Sequence, residues 1–230
     1  MDYHIREGVN EIKFELKNAN VEVYKNDGKG LHITAPNGSE NSIRTIPHNG
    51  ILHVKFISEA NAKIKISLPG TIKNIVIIKE SGVLKLENLN LDSLSVTSED
   101  SIELIGVTAQ KSCRLSTENS VIKMKECDIS SMSMQLSGGE FYTESTVLHG
   151  NSTAYVTDSI IHGTFKGALS DYVISAGSGI LADDVIVNDH RLTEFPDRKN
   201  VQNCAWLLIA GSVKETVHLR ISKPRFVSEY

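Results

Sequence analysis

The one local concentration of carboxylate and imidazole side chains in this sequence lies between residues 183 and 190. It consists of Asp183, Asp184, Asp189 and His190. Two carboxyl groups held about 5–9.5 Å apart can share the acid and base roles of glycoside hydrolysis. The cluster therefore marks a candidate surface site for carbohydrate processing, provided that the chain folds these residues into one cleft. A solvated loop explains the same residues, and the sequence leaves both interpretations open.

Other patterns that carry catalysis or metal binding do not occur in the sequence. Eight histidines are scattered without an HxH or HExxH spacing, so no zinc site is indicated. The Gly-Ser-Gly string at residues 177–179 belongs to a turn of a strand repeat and lacks the strand-to-helix context of a nucleophile elbow. Asp100 and Asp158 fall on equivalent turns, but three repeats, on the order of 14 Å, would separate them. We expect no catalytic residue, no metal and no cofactor, and we predict that the protein is not an enzyme.

Composition and charge indicate which classes of partner and which cellular location to expect. The chain of 230 residues has a formal net charge of -4 and a pI near 6.1, so we expect no basic surface for nucleic acid. Its three cysteines form neither a CxxC pair nor an even set, which predicts reduced, buried thiols. The first residues lack an apolar signal segment, and the sequence has no run of eighteen apolar residues that would span a membrane. These patterns predict a cytoplasmic protein, associated with the cell surface only if another route exports it.

A repeat of small polar turns runs through the middle of the chain. The turn pairs begin at Ser81, Asp100, Asn119, Gly138, Asp158 and Ser178, so their spacing is nearly constant. Apolar residues two apart flank the turns, as at Ile75 and Ile77 or at Leu84 and Leu86, which predicts strands with one buried wall. A period of about 20 residues fits one coil of a β-solenoid. We predict an all-β protein with a single-stranded, right-handed β-solenoid of about six coils over residues 71–190.

Two flanking segments complete the predicted architecture. Residues 1–70 alternate apolar and polar positions between turns rich in Asn and Gly, which predicts irregular or antiparallel strands continuous with the solenoid. Residues 191–230 include an apolar run from Ala205 to Ala210, which suits a strand or, alternatively, a short helix. We expect this C-terminal segment to cap the open end, because an uncovered strand edge promotes polymerisation.

Two inward positions follow each turn, and the second of them no longer holds an aliphatic residue toward the C-terminal end. Thr143, Gly163 and Asp183 stand where Leu or Met stands in the earlier repeats. Because an unpaired carboxylate is costly to bury, we expect that in this region either the register shifts or the solenoid changes shape.

The outward position after each turn predicts a ladder of side chains along the stack. Opposite charges would be adjacent over the first three coils, an arrangement worth about 0.2–1 kcal/mol per pair. The members of this ladder are Lys85, Glu103, Lys123, Tyr142 and His162.

The repeat also carries a family resemblance. The segment 63–70 ends in Leu68-Pro69-Gly70 and leads into the small-residue turns and leucine-rich spacers such as residues 86–94. On these features the chain resembles the bacterial family of β-strand-repeat proteins described as adhesin-like and of unknown function, over most of its length to about Ile180. The turn departs from the Ser-Gly of that family in four of the six repeats. The resemblance implies a parallel, solenoid-like fold, no assigned enzymatic activity and a role in adhesion or surface-linked assemblies.

Three hypotheses of function follow. The first is a non-enzymatic interaction or adhesion module whose partner is a protein or a cell-envelope component. The second is a self-assembling scaffold like the bactofilin cytoskeleton, in which rods associate end to end. The third is a β-helix that binds or processes carbohydrate around Asp183, Asp184 and His190. The regular repeat and the missing catalytic set favour the first hypothesis.

Overall fold

The computed structural model describes residues 2–4, 9–28, 30–36, 43–168, 171–176, 179–181, 184–192 and 205–222. Within these residues the chain is entirely β, with twenty strands in one hydrogen-bonded network and no helix, so the all-β prediction is confirmed. The strands are β1 (Asp2–His4), β2 (Glu11–Asn26), β3 (Gly30–Thr34), β4 (Ile43–His48), β5 (Ile51–Pro69), β6 (Asn74–Lys79), β7 (Leu84–Glu87), β8 (Asn90–Ser98), β9 (Ile102–Ile105), β10 (Thr108–Glu118), β11 (Val121–Lys125), β12 (Asp128–Ile129), β13 (Met132–Ser137), β14 (Glu140–Leu148), β15 (Asn151–Lys166), β16 (Tyr172–Ala176), β17 (Val185–Val187), β18 (His190–Arg191), β19 (Ala205–Val213) and β20 (Val217–Ser222).

Five strands, β6, β8, β10, β13 and β15, stack in parallel and form a first column. Their register aligns Ile75, Leu94, Cys113 and Met132, which are equally spaced in the sequence. The step from β13 to β15 is only slightly longer, as the pair Met134 and Ala154 shows. The spacing predicted from the first five turns is therefore confirmed. We call the stretch of chain between equivalent residues of neighbouring strands a winding.

A second column is separated from the first by the turns. β7, β9, β11 and β14 pair in parallel, and the column continues through the second half of β15 to β20. A residue with positive φ ends or bends each of the first four strands: Asn88 (53°), Gly106 (60°), Glu126 (52°) and Ser145 (54°). This left-handed conformation turns the chain sharply. Short parallel pairs between β8, β10, β12 and β14 then form a third side of the winding.

Aliphatic and aromatic side chains fill the space between the three sides. The first inward position after the turn holds Leu84, Ile102, Ile122, Phe141 and Ile161, each at most 2% exposed. They belong to one continuous hydrophobic core along the stack. Burial of each such side chain is worth about 1.5–3 kcal/mol relative to exposure. Since one winding cannot cover its own apolar wall, its neighbours complete the core and hold the outward side chains in fixed columns.

At the N-terminal end the order of strands in space differs from their order in the chain. β2 lies between β5 and β6 and is parallel to both. β3 and β4 lie antiparallel on the other edge of β5, and β1 pairs with β3. The predicted antiparallel strands are present, but β2 and β5 are parallel members of the stack. The antiparallel strands satisfy backbone groups that the edge of β5 would otherwise expose.

At the C-terminal end, too, the order of strands in space differs from their order in the chain, and we call this the exchange of strands. β19 and β20 lie in parallel between β15 on one side and β16 and β17 on the other. β18 pairs antiparallel with the other edge of β17. The expectation that the segment 191–230 caps the open end is therefore wrong for β19 and β20, which form an inner winding. The short helix considered for Ala205 to Ala210 is wrong too, because alternating burial of Ala205, Leu207 and Ile209 suits a strand with neighbours at both edges.

The sixth predicted turn is displaced by this exchange. Asp158 N donates a hydrogen bond to Ser212 Oγ at 2.9 Å, so the turn after β15 contacts the turn after β19. Gly179 lies against Gly211, where an added Cβ would be 2.1 Å from the carbonyl oxygen. The predicted step from Asp158 to Ser178 is therefore not a step between neighbouring windings, and Ser178 itself lies outside the described residues.

The predicted shift of register does not occur at Thr143 and Gly163 themselves, but the pairing of β14 with β15 shifts by one residue just beyond them, between Thr143 and Thr146. Met124 aligns with Thr143, Thr143 with Gly163, and Gly163 with Leu219, so the inward column continues through these positions. The column tolerates a small polar residue because Gly163 leaves room for the Thr143 side chain, whose Cγ2 would lie 2.1 Å from a Cβ at Gly163. Asp183, the third residue of that prediction, lies outside the described part of the chain.

Candidate interaction groove

The predicted acidic cluster is only partly described, because Asp183 lies outside the described residues. The Asp184 carboxylate accepts a hydrogen bond from Leu181 N at 2.9 Å, and Asp184 N donates to Leu181 O at 3.0 Å. Side chains that bond their own turn in this way stabilise the backbone locally. The position of Asp184 is therefore explained by its turn.

Asp189 lies in a shallow groove on the outer side of the second column. Tyr142 and His218 also line this groove, which has a volume of about 290 Å³. Asp189 has a φ of 66° in the turn after β17 and forms an ion pair with Arg220, with an N–O distance of 3.2 Å. His190, the next residue, is exposed. Because the guanidinium and the carboxylate neutralise each other, neither charge is left unpaired for a ligand.

A larger groove runs over the outer side of the first column. It has a volume of about 340 Å³, and Tyr155 lies in its lining with 53% of its surface exposed. Register places Ser116, Gln135, Tyr155 and Ala210 side by side on β10, β13, β15 and β19. Three interstrand distances of about 4.8 Å give this row a length of about 14 Å. We call this the Tyr155 groove; it is lined by Ser116, Thr117, Glu118, Gln135, Leu136, Ser137, Tyr155, Val156, Thr157, Ala210 and Gly211.

The depth of the Tyr155 groove comes from the small residues of β19. Ala210 offers only a methyl group beside Tyr155, and Gly211 follows with a φ of 116°. A Cβ at Gly211 would lie 1.7 Å from the carbonyl oxygen of Val156, so only glycine permits this approach of the two strands. One flank of the tyrosine ring is therefore not covered by a large side chain from the neighbouring strand.

Five polar side chains of the groove are free to bind a ligand. Within the described residues, the side chains of Ser116, Gln135, Ser137, Tyr155 and Thr157 make no hydrogen bond to another protein group. Sheet surfaces expose such hydroxyl and amide groups as both donors and acceptors. The groove thus combines an aromatic ring with several unpaired hydrogen-bonding groups.

The same outward column is different near the N-terminal end. There it holds Lys55 and Glu15, which form an ion pair with an N–O distance of 3.4 Å. Lys13 also contacts Glu15, again at 3.4 Å. The outward side chains of these windings are thus charged and form ion pairs with one another, whereas those around Tyr155 are uncharged and unpaired.

Comparison with known proteins gives limited similarity. No family model matches the sequence, and no curated protein does. A solved structure described as a candidate cell adhesion protein from Clostridium sporogenes is 13% identical over 97% of this chain and 98% of its own, with a TM-score of 0.38. A candidate adhesin from Bacteroides fragilis is also 13% identical, over 96% of this chain and 95% of its own, with a TM-score of 0.43. Because both scores are low, we infer the function below from the surface of this chain.

The predicted outward ladder of the second column is confirmed by the register, and it is longer than expected. It begins with Lys65 and Glu22, which form an ion pair at 3.2 Å, and Glu22 is also next to Lys85. Lys85 itself binds Glu87 of its own strand at 3.0 Å. The alternation of charge is therefore present, although Lys85 does not bond across the ladder. The complete order is Lys65, Glu22, Lys85, Glu103, Lys123, Tyr142, His162, His218 and Ile186.

Buried ionisable groups lie inside the stack, away from both grooves. Cys113 and Cys127 are free, buried thiols, as predicted, and burial raises the pKa of the Cys113 thiol to about 12. Such thiols are poor nucleophiles and poor metal ligands at neutral pH. Cys204 lies outside the described residues.

Lys79 is the unusual member of an inward column, between Leu16 and Ser98. It is 2% exposed, and its Nζ donates hydrogen bonds to the carbonyl oxygens of Ser81 and Gly82. Burial lowers the pKa of Lys79 to about 8, although the negative charge of Asp100 acts in the opposite direction. The ammonium group holds the first turn of the repeat from inside.

The described residues show no metal-binding cluster and no membrane-spanning helix. In this part of the chain, His, Cys, Asp and Glu side chains do not gather in threes or more around a position suited to a metal ion. Nor does it include a helix with the length and apolar character needed to cross a bilayer.

Proposed function

We propose that the protein is a non-enzymatic interaction module of the adhesin type, built on a right-handed β-solenoid. Support for the solenoid comes from the parallel stacking of windings at the nearly constant spacing of the repeat. Right-handed connection is the strong preference for parallel strands in one sheet. Stacked windings are a rigid support, because each outward side chain is fixed by two neighbouring strands.

The observation that carries the proposal is the Tyr155 groove. Exposed aromatic side chains surrounded by hydrogen-bonding groups are typical anchors of binding surfaces, since they offer a large contact area at little entropic cost. Tyr155 is 53% exposed beside the unpaired polar side chains of Gln135 and Ser137. By contrast, the carboxylates of Asp184 and Asp189 have local partners. Binding without chemistry is the function that this arrangement supports best.

The partner in this proposal is a component of the cell envelope. The experiment is co-sedimentation of the purified full-length protein with isolated bacterial envelope fractions. We expect saturable binding, and we expect Tyr155→Ser to weaken it by about tenfold, the equivalent of about 1.4 kcal/mol.

The matched control is Tyr142→Ser. Tyr142 is also an exposed tyrosine, at 40%, but it lies on the second column outside the Tyr155 groove. This variant should bind like the wild type. Absence of binding by the wild type, or equal loss in the two variants, would refute the proposed function.

A further inference from the structure

We infer that the Tyr155 groove binds a neutral carbohydrate chain that lies along the stack, across β10, β13, β15 and β19. This inference rests on the proposed function and adds the chemical class of the ligand. Its basis is the combination of an open aromatic face, a row of uncharged hydrogen-bonding side chains and a nearly uncharged lining in one groove.

The aromatic ring supplies the apolar part of recognition. A sugar ring has one face of C–H groups and an edge of hydroxyl groups, so it packs on an aromatic ring while its edge bonds to polar side chains. Tyr155 has Gln135 on one side and the small Ala210 on the other. The tyrosine is 53% exposed, and the groove that it lines extends to Ala210 and Gly211 of β19.

The polar side chains supply the complementary hydrogen bonds. Ser116 and Gln135 lie in the row of Tyr155, while Ser137 and Thr157 lie side by side two residues along the strands. Each carries both donor and acceptor capacity, as a sugar hydroxyl does. Within the described residues these side chains have no protein partner to release before a ligand binds.

The charge of the groove selects against acidic ligands. Among its described lining residues the single charged side chain is the carboxylate of Glu118, and Lys, Arg and His are absent. A nucleic acid or a polyuronate would meet no positive charge here, and Glu118 would repel it. A peptide that binds by strand addition would need a free strand edge, whereas β13 and β15 have neighbours at both edges.

The length of the groove favours a chain over a single sugar. The row from Ser116 to Ala210 crosses three interstrand distances, about 14 Å in all. A polymer with a regular repeat would place successive rings over successive strands. Affinity should therefore increase with the number of linked sugar rings until the row is filled.

The experiment measures binding of the full-length protein to neutral oligosaccharides with gluco, manno and galacto rings, in series of increasing chain length. Array binding selects the series, and titration calorimetry then gives the affinity. We expect one neutral series to bind with affinity that rises with length. We expect Tyr155→Ser to weaken binding by at least about tenfold and Tyr155→Phe to retain most of it, because the ring remains.

Two comparisons make the result specific. Gln135→Ala should weaken binding several-fold, whereas Tyr142→Ser should leave it unchanged. Thermal unfolding of each variant checks that it is folded, which is expected because Tyr155 and Gln135 are both exposed. Failure of every neutral series to bind, or binding that is insensitive to Tyr155→Ser, would overturn the inference.

Treatment of the envelope fractions separates this inference from the proposed function. If a neutral glycan is the ligand, periodate oxidation of the fractions should abolish Tyr155-dependent binding and protease digestion should not. The reverse pattern would contradict the carbohydrate inference while the interaction function stands. Tyr155-dependent binding to a polyuronate would contradict it as well.

Discussion

The methyl group of Thr143 occupies the space in which a side chain of Gly163 would otherwise lie. A Cβ at Gly163 would be 2.1 Å from Thr143 Cγ2 and 3.1 Å from Thr143 O. The two residues are aligned on β14 and β15 in the inward column. They therefore form a complementary pair at the point where the aliphatic pattern of the column stops.

The first prediction concerns this pair. Gly163→Ala should lower the free energy of unfolding by about 1–3 kcal/mol, since the new methyl group overpacks a closed core. Thr143→Ala should relieve most of that cost in the double variant, because it removes Cγ2. Chemical denaturation of the four proteins of the cycle measures the coupling. Additive effects of the two substitutions would show that these side chains do not compete for the same space.

The second prediction concerns the Thr143 hydroxyl group. Thr143 is fully buried, and its Oγ1 has no hydrogen-bond partner among the described residues. Replacing the hydroxyl with a methyl group in Thr143→Val should raise the free energy of unfolding by about 1 kcal/mol, because an unsatisfied buried hydroxyl is costly. Denaturant titration at fixed pH measures the change. A less stable Thr143→Val protein would show that the hydroxyl has a partner in solution.

The third prediction concerns Lys79 and pH. Because burial lowers its pKa from 10.5 to about 8, the unfolded chain binds more protons than the folded protein between these values. The contribution of Lys79 to stability must therefore increase as the pH rises from 8 to 10.5, by up to about 3 kcal/mol. The variant Lys79→Met lacks this group, so the stability of wild type relative to the variant should rise over that range.

The measurement for Lys79 is the difference in unfolding free energy between the two proteins at several pH values. Taking the difference removes the contribution of other groups that titrate in the same range. A difference that stays constant from pH 7 to 11 would show that the pKa of Lys79 is not lowered in the folded protein.

Much of the stack could be predicted from the sequence, because its turns and strands obey local rules. Most of the turns contain a small or polar residue with positive φ, as at Asn119 (50°), Gly138 (68°) and Asp158 (44°), although the turn at Asp100 does not. Each strand places aliphatic residues two apart. These requirements recur with the period of a winding and are visible without coordinates.

The exchange of strands at the C-terminal end could not be predicted in this way. β16 and β19 both carry alternating apolar residues, so either could pair with β15 by pattern alone. The pairing depends on the turn, where Gly211 approaches Val156 O closely and Ser212 bonds Asp158. The order of the sequence predicts β16 as the neighbour of β15, whereas tertiary packing places β19 there.

The candidate site was missed for the same reason. Tyr155 is recognisable in the sequence as an aromatic residue at an outward position, but acids and histidines are the stronger sequence signal for a site. The groove around it requires Ala210 and Gly211 on the neighbouring strand. Those residues are more than fifty positions away, and only the exchange of strands places them beside Tyr155.

Both the stack and the Tyr155 groove depend on the position of β19 next to β15. Oxidative cross-linking of paired cysteines in a Cys204→Ser background tests this directly. Thr153 and Leu208 are partners on adjacent strands, so Thr153→Cys with Leu208→Cys should form a disulfide.

The control pair uses Val173, which is paired with Trp206 on β19. Val173 therefore lies two strands from β15, at about 9.6 Å, beyond the reach of a disulfide. Thr153→Cys with Val173→Cys should therefore remain reduced. Formation of the second disulfide without the first would show that β16 follows β15 in the stack and would contradict the account.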